Sequence, residues 1–138
     1  MFRKIGAFMA AVTIWIVVAT VGHRIMLGLW PDYVAALPTL AFSLPMMICR
    51  LLLSAMATLA AGAIAKTIDH GRWMPWAIGV FLLLFFIPQH YNIWHKLPVW
   101  YHLTFLGSLL PLTLLGGRIA SVRFAVSPHQ TRSAPELS

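Results

Sequence analysis

The chain has 138 residues, 60% of them apolar, and 10 Lys plus Arg against 3 Asp plus Glu leave it 9% charged with a net +7. That is about a third of the charged share of a soluble domain, too little to cover a water-facing surface, so an ordinary water-soluble fold is excluded. With a mean hydropathy of +0.83, hydrocarbon is the expected solvent, and at about 20 residues per membrane-spanning helix the length accommodates four spans, short loops and a tail.

The first span is expected over residues 5–25, preceded by Arg3 and Lys4 and closed by Gly22, His23 and Arg24. A basic start before an apolar stretch also describes a secretory signal peptide. The apolar run is slightly long for one and no clean A-x-A site follows, so an uncleaved first span is the reading. Residues 26–40 mix Trp30, Pro31, Asp32, Tyr33 and Pro38, as an interfacial loop does. The second span, 42–65, is interrupted by Pro45 and Arg50 and followed by a polar turn with Lys66, Asp69, His70, Gly71 and Arg72.

The third span, 73–90, opens on Trp73 and Pro75, a good first-turn position for proline, and Pro88 is expected to end its apolar run. A polar, aromatic loop, PQHYNIWHKLP, leads to the fourth span over 99–119, which contains Pro111 and ends near Gly116 and Gly117. Residues 122–138 are rich in Ser, Pro, Gln and Thr and read as a disordered tail. The fold class expected is an all-α integral membrane protein, a four-transmembrane-helix antiparallel bundle forming one domain over 1–121.

The basic residues set an orientation. Arg3, Lys4, Lys66, Arg72, Arg118, Arg123 and Arg132 fall on one side, Arg24 and Lys96 on the other. By the positive-inside bias both termini are cytoplasmic, which suits a bacterial inner membrane, and the two aromatic loops face outward. Because the cations are scattered singly or in pairs, they form no phosphate-neutralising patch and no nucleic-acid partner is expected.

Lipid gives helices no hydrophobic drive to associate, so they pack by shape. Ser54, Thr58 and Gly62 recur every four residues, with Ala57, Ala61 and Ala65 beside them. These two stripes of small side chains predict close approach of a neighbouring helix, in this chain or in a second copy.

Arg50 is the most informative residue. At 1.5 Å per residue from the outer end of the second span it lies about 12 Å deep, where a charge costs about 3 kcal/mol. No acidic residue falls within a span. Pro111 frees the Gly107 carbonyl at about 14 Å depth, which makes it the expected acceptor, with His102 and Ser108 nearby. Snorkelling to the headgroups is the alternative.

His23, His90, His95 and His102 gather at the outer boundary with Tyr91, Trp94, Trp100 and Tyr101. Such a set suits an aromatic belt; it also has the residue types for haem, quinone or metal contact or proton relay. No i, i+4 histidine pair exists and no carboxylate or thiolate lies near, so no metal site or cofactor is assigned. The one cysteine, Cys49, sits in an apolar run and excludes an intrachain disulfide.

There is no G-x-S-x-G, H-E-x-x-H or phosphate-binding glycine loop, and no buried glutamate for proton-driven export. The expectation is a non-enzymatic membrane component, an accessory or interaction subunit whose outward aromatic loops meet a membrane partner or a second copy. Two alternatives stand beside it: a haem-, quinone- or metal-binding protein using the outer histidines, and a small anion transporter or channel built around Arg50.

Overall fold

Apolar runs separated by proline-bearing polar stretches become long helices. The computed structural model describes residues 2–126, as α1 (Phe2–Leu29), α2 (Pro31–Ala36), α3 (Leu44–Ile68), α4 (Trp73–Asn92) and α5 (Val99–Val126). Four of the five, α1, α3, α4 and α5, are long and apolar enough to cross a membrane. Each also leaves large apolar side chains exposed, such as Ile16, Leu52, Leu84 and Leu103, as a lipid-facing surface requires.

The helix boundaries depart from the sequence-based limits in three places. Residues 26–40 are not a plain loop. α1 continues to Leu29, and Pro31, with its fixed φ, starts the six-residue α2 while Asp32 meets the helix dipole favourably in the first turn. The chain then turns through Leu40, whose φ of 56° is the left-handed conformation that a branched side chain resists. Ser43 in extended conformation precedes α3, and Pro45 occupies its first turn.

Pro88 does not end α4, which runs on to Asn92. Proline removes one backbone bond, and the buried His90 two residues further on anchors the last turn. α5 likewise passes Pro111 and extends to Val126, through the first five positions assigned to the tail. The remainder of that tail, from residue 127, lies outside the described residues.

α3 packs against α1, α4 and α5, most extensively against α5. The reason is steric: Gly62 of α3 lies against the Thr113 backbone carbonyl, and Gly116 of α5 lies against that of Leu59, so that a Cβ at either glycine would overlap main-chain atoms. Ser54, Ala57, Thr58, Ala61, Gly62 and Ala65 are all buried. Ala61 and Ala65 join Ala7 and Ala11 of α1 with Ile78, Phe105 and Leu109 in one apolar cluster. The Trp15 indole N–H of α1 donates to Thr58 Oγ1 at 3.1 Å.

A second cluster gathers Tyr33, Phe42, Met46, Met47, Leu97 and Tyr101 at the α2 end. At the opposite end Arg3 Nη2 and Asp69 Oδ1 form an ion pair at 3.3 Å, joining the start of α1 to the residue after α3.

Candidate functional site

Arg50 sits two turns into α3, and its aliphatic stem brings the guanidinium beneath the short α2 segment. Nη1–H donates to the Tyr33 hydroxyl at 2.5 Å and Nε–H to the Tyr101 hydroxyl at 3.3 Å. Its central carbon lies 4.8 Å from the Phe42 ring centroid and 6.0 Å from that of Tyr33. A cation over aromatic faces with phenol acceptors is stabilised without a counter-charge.

This arrangement corrects the expected Gly107 pairing. Depth along a helix does not set which way a residue faces: Gly107 is exposed and nothing lies within 4 Å of where its Cβ would stand. The neighbouring Ser108 hydroxyl donates back to the Phe105 carbonyl at 2.8 Å, and His102 bonds His90 instead of Arg50.

The Tyr33 hydroxyl also meets His23 Nδ1 at 3.3 Å. Tyr33 is completely buried although it belongs to the connection between two long helices, where Pro31 starts the turn of helix that aims it inward. Phe42 stacks on it with centroids 5.4 Å apart. Sequence reading placed Tyr33 in an interfacial loop and missed its role; the one available signal was a phenol following a helix-starting proline.

The histidines expected at the outer boundary divide into separate environments. His90 and His102 face each other, Nδ1 to Nδ1, at 2.8 Å. Trp94 stacks on His102 at 4.7 Å between centroids, and Phe105 lies 4.4 Å from His90. His102 is wholly buried and its Nε2 has no hydrogen-bond partner. His23 stands with Tyr33, while His95, Tyr91 and Trp100 are exposed. Among the described residues no three His, Cys, Asp or Glu side chains come together as metal ligands would.

Between α1, α3, α4 and α5 lies a cavity of about 690 Å³. His23, Arg24, Arg50, Gln89 and His90 supply its polar wall, and Trp15, Leu53, Phe86, Ile93 and Phe105 much of its apolar wall. Ser54 reaches the same space, and its buried hydroxyl has no partner. Among the described residues the lining contains no carboxylate, and the one ion pair is Arg3 with Asp69 at the far end.

Of the five guanidinium N–H groups of Arg50, two are used by the tyrosines and three remain. A planar fork of donors held in place by two fixed acceptors is suited to a carboxylate or phosphate, which it can grip through two parallel bonds. An apolar wall beside a few converging polar groups is the usual make-up of a small-molecule site. No protein-family model, curated protein or solved structure matches the chain.

Proposed function

We propose that the protein is a non-enzymatic integral membrane protein that binds a small amphiphile with an anionic head in the cavity beside Arg50. On this reading the four long helices cross a bacterial inner membrane alternately, with both termini cytoplasmic, and the cavity lies toward the outer side. The head meets Arg50 with Arg24, His23 and Gln89 about it, and the apolar tail lies along Trp15, Leu53 and Phe86.

One observation carries this reading: the cationic guanidinium borders a cavity that no described residue supplies with a carboxylate, while keeping three donors unspent. A cation with donors unspent gains a charge-assisted bond from an anion, and no described residue lining the cavity supplies one. The aromatic residues assigned from sequence to partner contact also favour it, because Tyr33 and Tyr101 turn inward to Arg50. Histidine ligation of a metal finds less support, since among the described residues no three His, Cys, Asp or Glu side chains come together.

The test is titration of the detergent-solubilised protein with a bromine-labelled fatty acid, reading indole fluorescence. Saturable quenching that largely disappears in Trp15→Phe, and weakens at least ten-fold in Arg50→Gln, is expected, since a charge-assisted bidentate bond is worth about 1.5–3 kcal/mol. Quenching that never saturates, or that persists unchanged in Trp15→Phe, would remove the cavity as the binding place.

A further inference from the structure

At the Asp69 end, α3, α4 and α5 enclose a second, smaller pocket of about 220 Å³. Lys66 from the last turn of α3, Arg72 from the residue before α4 and Arg118 from α5 all line it, with Trp76, Gly117 and Ser121. We propose that this pocket binds the phosphodiester of an anionic phospholipid. The proposal shares with the function above only the premise that the helices cross a bilayer, and it involves none of the residues of the Arg50 cavity.

Three cations converging on one hollow repel each other unless an anion joins them. Among the described residues the pocket lining contains no carboxylate. Asp69, the described acidic residue at this end, is committed to Arg3 on α1. Two of the cations are held in place yet retain donors. Lys66 Nζ gives one hydrogen to the His70 carbonyl at 2.6 Å and keeps two. The Arg72 guanidinium lies over the Trp73 ring, 5.4 Å from its centroid, which leaves its N–H edge open.

The position also selects a lipid over a free ion. Helix ends carrying exposed tryptophans, here Trp73 and Trp76, mark the headgroup level of a bilayer, where the phosphate layer lies. Basic pockets between membrane helices at that level hold anionic heads, each Lys or Arg strengthening the attraction by about five-fold. A zwitterionic head brings its own cation into the hollow and forfeits much of that gain. At the floor Gly117 lets α5 approach α4 closely, since a Cβ there would stand 2.8 Å from Pro75 Cγ.

The experiment is native mass spectrometry of the full chain titrated with phosphatidylglycerol or phosphatidylcholine, alone and with excess inorganic phosphate. Tighter retention of phosphatidylglycerol is expected, reduced about five-fold in Arg118→Gln, restored in Arg118→Lys and little affected by inorganic phosphate. Equal retention of the two lipids, or unchanged retention in Arg118→Gln, overturns the proposal. Displacement of the lipid by inorganic phosphate overturns it too, by making the site one for a free anion. If Arg118→Gln loses its helical circular dichroism, Lys66→Gln takes its place under the same criteria. Bromo-fatty-acid quenching at Trp15 should persist in either variant; its failure in the wild type would count against the Arg50 cavity and leave this site standing.

Discussion

His90 Nδ1 and His102 Nδ1 lie 2.8 Å apart, so one imidazole donates and the other accepts. The two rings are not equivalent. His90 borders the cavity, whereas His102 is sealed under Trp94 with its Nε2 already unpartnered. His90→Phe therefore strands a second buried nitrogen on His102, and is expected to cost about 1–3 kcal/mol, more than His102→Phe. Reversible unfolding in mixed micelles checks the order. The double variant should cost less than the two single changes added, because the second substitution removes an already orphaned group.

The Tyr33 hydroxyl serves two partners, Arg50 and His23, and the Tyr101 hydroxyl serves Arg50. Tyr33→Phe should consequently destabilise more than Tyr101→Phe, by about 1.5–3 kcal/mol against a smaller loss, given the usual worth of a hydrogen bond to a charged group. A double-mutant cycle of Tyr33→Phe with Arg50→Leu measures the coupling directly. Strict additivity would mean that the guanidinium is solvated and the phenols are mere neighbours.

Glycines give a contrast within one helix. Gly116 of α5 lies against the Leu59 carbonyl, while Gly107 of the same helix has open space around it. Gly116→Ala forces α3 and α5 apart and should cost about 1–3 kcal/mol by overpacking. Gly107→Ala should gain up to about 1 kcal/mol from helix propensity. Thermal midpoints of the two variants moving in the same direction would contradict the packing described for this pair of helices.

Ser54 keeps a buried hydroxyl without a partner at the cavity wall. Removing an unsatisfied buried polar group relieves its desolvation, so Ser54→Ala should raise the stability of the empty protein by about 1 kcal/mol. If the hydroxyl serves the ligand, the same change weakens fatty-acid binding. Stability and binding moving oppositely is the expected signature, read by unfolding and by quenching on the same sample.

The four long helices and their approximate extent were legible in the sequence because apolar runs of about 20 residues admit few other structures, whereas the six-residue α2 read as loop. The small side chains of α3 were legible for a related reason, since recurrence every four residues sets a face. The partners of Arg50 were not. Hydropathy and rise per residue locate a side chain along the axis but not around it, so Gly107 matched in depth while facing elsewhere. Tyr33 was hidden by an ambiguity of tyrosine itself, whose amphipathic ring suits a headgroup layer as well as a buried cation. The proline at 88 misled because one missing N–H near a helix end is a small loss beside the packing of His90.

The two phenols that hold Arg50 lie 17 and 51 residues from it in the chain, one before and one after. A ribosome therefore delivers Tyr33 ahead of the arginine and Tyr101 long behind it. On the membrane-spanning reading proposed above, the guanidinium of α3 has only the earlier phenol as acceptor while that helix inserts, and its second acceptor arrives with α5. Chains truncated before α5 should be released from the membrane or degraded more readily than complete ones, and Arg50→Leu should relieve that difference.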